Sequence, residues 1–471
     1  VISKGIAMSH ATAKDGARME TTIKATVKPK RTWWRRVLKW VAVAGVLLFV
    51  GVLIWGWHVT RQLRAEITRI RDAGEPLVFK DLEAGSPRLE EDQDAGWYYN
   101  AALALVHPKG IIEALEPYWA AATRPASQPS AEQHGHARRI LERNRLALEM
   151  FDRGAALPFG RFSLDMQYGM GPSIERLTVV RSAFKLLSLR TREAVGRGRA
   201  DQAVESVISS FAALRVFRPQ PAVIVHISGV TCRSLLLTDA QAVLNLAQLP
   251  EESLARLQRV VQDSWLDNEV ERMVLADRVY GIAGMRSDLL GLVDEQAAAR
   301  LAEESTAPSM PGGSWLNPIP RQLALGYLKD MDRLLQASRK PWPEIVAAMN
   351  QPDLARSTLG RLLVPSITRS VVLTGRSLAQ VRCTAVAIMI RRHLITHGKL
   401  PDTLAELVPA HTDPLPADPF TGKSLIYKRE AGGYVVYSVD DDLRDDGGRL
   451  ERIEGDSGLD SGARVRMSKQ P

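Results

Sequence analysis

Cysteine is nearly absent from this 471-residue chain, which contains only Cys232 and Cys383. Two thiols exclude a disulfide-rich scaffold and any zinc module built on several cysteines. Signature motifs of catalysis are missing as well. There is no HExxH, no GxSxG, no Walker loop and no GxGxxG. That removes the zincin, serine-elbow, P-loop and dinucleotide-binding classes that those spacings serve. Distributed positive charge is also lacking. The formal net charge is +9, but residues 1–36 alone carry +7, leaving +2 for the rest. A nearly neutral body excludes a nucleic-acid partner for it. Charged residues make up 24% and apolar residues 45%, so the chain can bury a sizeable core. Its length suggests about three domains.

The sequence does contain one long apolar run. Trp40–Thr60 carries no formal charge and is bracketed by Lys39 and Arg61. A helix of that length covers the roughly 30 Å hydrocarbon core of a bilayer. Trp33, Trp34 and Trp40 mark one end, and Trp55 and Trp57 the other, as an aromatic belt does. Residues 37–60 are therefore expected to form a transmembrane helix behind a basic cytoplasmic tail, 1–36. Seven Lys/Arg from Lys24 to Lys39 precede the span, against Arg61, Arg64, Arg69 and Arg71 after it. This bias predicts a single-pass protein of the cytoplasmic (inner) membrane, N-terminus inside and bulk outside.

Residues 61–304 read as a helical extracytoplasmic body. A helix leaves the bilayer and stops at Gly74 and Pro76. Glu90, Glu91, Asp92 and Asp94 precede the next helix, where negative charge complements an N-terminus. Leu177, Val180, Phe184 and Leu187 repeat at helical spacing, GRGRAD turns the chain, and Val204, Val207, Ile208 and Phe211 continue on a second helix. The stretch AVGRGRADQAVESVISSFAAL resembles half of a tetratricopeptide-type hairpin, without a sustained 34-residue period. Residues 305–320 (STAPSMPGGSWLNPIP) form a linker or exposed loop. Residues 321–376 are a helical connector. Ser377–His397 is read as a central helix, with Arg382, Arg391 and Arg392 too frequent for a second span.

After Gly398 come KLPDTLAELVP, the turn DPFTGK, and two alternating strands around Ala431–Gly433 carrying Leu425, Tyr427, Val435, Tyr437 and Val439. The order ends in DDDLRDDGG, 440–448. Residues 377–450 resemble the C-terminal domain of the G-type major pseudopilins of the type II secretion system. Gly398, Pro401, Asp418, Pro419, Phe420, Gly422, Tyr427, Tyr437, Ser438, Val439 and Asp442 carry the resemblance. The whole chain is also similar to bacterial proteins with one N-terminal membrane helix, a long helical body and this ending. The resemblance implies a small α+β domain whose last loop binds calcium, with Asp442, Asp445 and Asp446 as its carboxylate ligands. Calcium takes six to eight oxygens, which acidic side chains and backbone carbonyls supply. The chain departs from that family in two ways. No prepilin peptidase site precedes the span, and more than 300 residues separate span and domain. Both argue against polymerisation into a fibre. Residues 451–471 read as a disordered tail.

Other candidates read as structural. Ser182 and Lys185 fit SxxK but lack the companion motifs. His393 and His397 have a metal-ligand spacing that His411 or Asp413 could complete. Cys232 and Cys383 fall in apolar helices, where free thiols and a bridge are equally consistent.

The expected fold class is mainly α: an N-terminal transmembrane helix, a helical-hairpin body, and a small C-terminal α+β domain with a β-hairpin. The expected role is non-enzymatic interaction or scaffolding in the cell envelope, with envelope proteins as partners. The alternatives are a component or accessory of a type II secretion-like system, and an envelope hydrolase whose site forms only in three dimensions.

Overall fold

The computed structural model describes residues 31–78, 81–82, 93–123, 128–157, 160, 170–217, 222–285, 317–349, 351–408, 415–450 and 459–467. The chain divides into two compact units, Val1–Trp55 and Gly56–Pro471. The described part of the first unit is helical throughout, within helix α1, Arg31–Asp72. Its apolar side chains are bare: Leu38 is 70% exposed, and Trp40 and Leu48 are 74% exposed. No soluble fold leaves such a run uncovered without a partner phase for it.

Within the second unit the pattern of α1 changes. Its last turns are amphipathic, and Leu63, Ile67 and Ile70 are buried at helical spacing. They join a core with helices α10 (Glu269–Gly284), α11 (Ile319–Ser338), α12 (Trp342–Met349) and the start of α13 (Thr358–His397). Ion pairs fix this junction. Buried Arg278 donates to Glu75 at 2.7 Å and to the Pro76 carbonyl at 3.1 Å. Arg339 bridges Glu75 and Glu271, at 2.9 and 2.7 Å.

A second core joins the remaining elements. Helices α2 (Ala95–Leu105), α3 (Ile111–Thr123), α4 (Ala131–Arg143) and α5 (Arg145–Ala155) lead into α6 (Met170–Gly196) and α7 (Ala200–Ala213). The turn between α6 and α7 is the GRGRAD segment. A short 3₁₀ turn, Leu214–Phe217, precedes α8 (Val223–Leu244), and α9 (Glu251–Asp263) follows. Helices α8 and α9 both pack on α13.

By length and composition, α1, α8 and α13 could each cross a membrane. Helices α8 and α13 are largely covered by protein, and their charges are answered inside the fold. Arg233 meets Glu269 at 2.6 Å, and Asp239 accepts from Arg192 at 2.6 Å. Arg391 donates to the Leu246 and Ala247 carbonyls, just past the end of α8, at 2.9 and 3.0 Å.

The hairpin expected near Ala431–Gly433 is present. Strands β1 (Ile426–Glu430) and β2 (Gly433–Ser438) pair antiparallel, with Tyr427 opposite Val436. Two expectations need correction. The helix expected from Ser377 begins at Thr358, so the boundary drawn at 376 falls inside one helix. Ser357 caps it by accepting from the Gly360 N–H at 2.9 Å, and Pro365 removes only one hydrogen bond from the ladder. The C-terminus of α13 lies where expected, at Gly398, whose φ of +71° suits glycine. The second correction concerns residues 451–471. Ser461–Arg466 is a third strand, β3, antiparallel to β2, with Val465 opposite Tyr434 and Ala463 opposite Val436. Its small apolar side chains alternate inward, and β2 supplies the buried partner surface. Residues 451–458 lie outside the described residues, as do 1–30 and 286–316, which hold most of the proposed tail and linker.

Candidate functional site

A cleft of about 850 Å³ opens beside the Asp/Gly loop that follows β2. Arg192 from α6, Gln241 from α8, and Arg376 and Gln380 from α13 line it. Asp440 of the loop and Arg464 of β3 complete this polar rim. Helix α8 closes the outer side of β3 with side-chain amides. The Asn245 carbonyl accepts the Arg466 N–H at 2.8 Å, and Gln241 donates to the Gly462 carbonyl at 3.5 Å.

Asp440 is the pivot of the loop. It is buried, and its φ of +59° is left-handed, a conformation aspartate tolerates better than most side chains. Arg376 Nε donates to Asp440 Oδ1 at 2.8 Å, and Arg376 Nη2 to Asp441 Oδ1 at 2.5 Å. Ser461 Oγ donates to Asp440 Oδ2 at 2.6 Å. Burial pushes Asp440 above the usual carboxylate range, outweighing Ser461 and Arg376. Burial works against Asp441 as well, but its contacts with Asp440 and Arg376 hold it below that range.

The three expected calcium ligands have different settings. Asp442 is exposed and accepts the Arg444 N–H at 3.0 Å. Asp445 accepts from Tyr437 Oη and from the Gly447 N–H, both at 2.8 Å, and lies 3.8 Å from Lys428 Nζ. The Tyr437 hydroxyl is the largest influence holding Asp445 low. Asp446 is half-buried, its N–H donates to Asp460 Oδ1 at 3.4 Å, and its Oδ2 is buried without a hydrogen-bond partner. Among the described residues, no three His, Cys, Asp or Glu side chains gather closely enough to hold a metal ion.

The remaining candidates lie apart from the cleft lining. Asp94 caps α2 by accepting the Gly96 N–H at 2.7 Å, while Glu90, Glu91 and Asp92 lie outside the described residues. Ser182 Oγ donates to the Thr178 carbonyl. Cys232 and Cys383 are buried free thiols. His393 and His397 stack at 4.0 Å between ring centroids, and His411 and Asp413 lie outside the described residues.

Sequence reading missed Arg376, whose partners follow 64 and 65 positions later. It also missed the contact between Ser461 and Asp440. No local spacing announces either, because the loop and α13 are far apart in sequence and meet only in the folded chain. Compared with known proteins, the chain matches no family model, no curated protein and no solved structure.

Proposed function

We propose that this chain is a membrane-anchored, extracytoplasmic interaction or scaffold protein of the cell envelope. The observation that carries this reading is the bare apolar stretch of α1, flanked by tryptophans at both ends. The basic residues before it favour an N-terminus in the cytoplasm. In the body, the cleft offers amides and guanidinium groups, which suit recognition of peptide or other polar surface. Crosslinking in native membranes, followed by purification of the intact chain, tests the reading. Specific envelope proteins should be recovered, and their loss on Gln380→Ala and Arg464→Ala would map them to the cleft. Recovery of no partner contradicts a scaffold role.

Membership of a type II secretion-like machine is a narrower form of this proposal. It draws on the order of α13, the DPFTGK turn, the β1–β2 hairpin and the Asp/Gly loop. Secretion subunits among the crosslinked partners would support it. Calcium at the loop belongs to the same proposal, and Asp446 Oδ2 is the acceptor that favours it.

A hydrolase is the second reading, favoured by Ser461 Oγ and the raised carboxyl of Asp440 at one cleft wall. Among the described residues Ser461 Oγ bonds to Asp440 and to no imidazole, whereas an activated serine generally needs a stronger base than a carboxylate. Labelling of Ser461 by a fluorophosphonate would establish this reading over the first.

A further inference from the structure

A second cavity, of about 440 Å³, lies between the Leu214–Phe217 turn, α8, and the connection from α9 to α10. One stripe of α8 forms its wall: His226, Gly229, Val230 and Arg233, at helical spacing. Gly229 allows a close approach here, since a Cβ there would sit a tight 3.1 Å from the Phe217 ring. Trp265 and Phe217 supply aromatic surface, and Arg215 and Arg272 line the cavity with Arg233.

Arg233 is held firmly. It donates to both Glu269 oxygens, at 2.6 and 3.1 Å, and its guanidinium carbon lies 5.4 Å from the Trp265 ring centroid. Yet Arg233 Nε and Trp265 Nε1 are both buried without an acceptor. Two neighbouring orphan donors are costly in a folded protein. Among the described lining residues, three arginines stand against Asp263 and Glu269, a net charge of +1 with His226 neutral. The combination is an electropositive, donor-rich, aromatic-walled cavity of small-ligand size.

We propose that this cavity binds a small organic anion, a carboxylate or phosphate on an aromatic or acyl body. The anionic oxygens accept from Trp265 Nε1 and Arg233 Nε, and the apolar body lies against Phe217 and Trp265. The inference is independent of the role assigned to the cleft.

The test uses the full chain in nanodiscs, with empty nanodiscs subtracted, and titration calorimetry. The probes are 2-naphthoate, phenyl phosphate and decanoate, with neutral 2-naphthylmethanol as the control. At least one anion should bind saturably, one per chain, and roughly tenfold more tightly than the alcohol. Trp265→Phe keeps the ring and removes the N–H, and should weaken that anion roughly tenfold. Arg272→Gln, on the cavity lining, should weaken it too and serves if Trp265→Phe melts early. Absence of binding by all three anions overturns the proposal. So does binding that matches the alcohol, or binding indifferent to both substitutions.

Discussion

Arg376 joins Asp440 at 2.8 Å across 64 residues of sequence, tying helix α13 to the loop after β2. The loop therefore carries its own cation. Asp440 is buried while Arg376 is partly exposed, so removing the arginine strands a carboxylate in a poorly solvated place. Arg376→Ala should destabilise the body by about 1–3 kcal/mol, less than a fully buried pair costs. Its penalty should shrink on acidification, because protonated Asp440 needs no partner. A double-mutant cycle with Asp440→Asn, followed by urea unfolding at pH 7.5 and pH 4.5, measures both effects. Additivity of the two substitutions would contradict the coupling.

Asp277 provides a pH prediction of opposite sign to a normal ion pair. Burial against α11 pushes its carboxyl up to about 6. A folded-state value above the unfolded one stabilises the fold below the unfolded pKa, and that contribution is lost as pH rises from about 4 to about 6. Asp277→Asn should therefore stabilise the protein at pH 7.5, by on the order of 1–3 kcal/mol, and change little at pH 4. Equal effects at the two pH values would show that Asp277 titrates normally.

Strand β3 makes a third prediction. Deleting residues 459–471 uncovers Tyr434 and Val436 of β2 and removes the Ser461 contact to Asp440. It also frees the Asn245 and Gln241 amides of α8. The truncated protein should lose several kcal/mol, of the order expected for exposing two large core side chains. Thermal melting decides this, and an unchanged midpoint would mean that β3 is dispensable.

Much of this architecture was legible in the sequence, and the exceptions share a cause. The α1 run, the Gly398 cap, a cap at Asp92 or Asp94 and the β1–β2 hairpin rest on local patterns that one segment carries alone. β3 was missed because Ala463 and Val465 are small and sit among Asp, Gly, Ser and Lys, a composition that reads as solvated. Its strand character depends on β2. The early start of α13 was hidden by Pro365, which ordinarily marks an end. The cleft was invisible for a stronger reason: Arg192, Gln241, Arg376, Asp440 and Arg464 come from separate elements, with no shared spacing.

Calcium at the Asp/Gly loop makes a fourth prediction. If Asp446 Oδ2 accepts calcium, calcium should raise the melting temperature relative to chelator, and Asp446→Asn should remove the difference. Equal melting with calcium and chelator removes calcium from the account.

The side of the membrane on which the body lies can be measured directly. Single cysteines at exposed positions, such as Lys340→Cys and Glu252→Cys, would be placed in a Cys232→Ala, Cys383→Ser background. An impermeant maleimide would then be added to intact spheroplasts. Labelling without permeabilisation is expected for an extracytoplasmic body. Labelling only after lysis would place residues 61–471 in the cytoplasm and contradict an extracytoplasmic role.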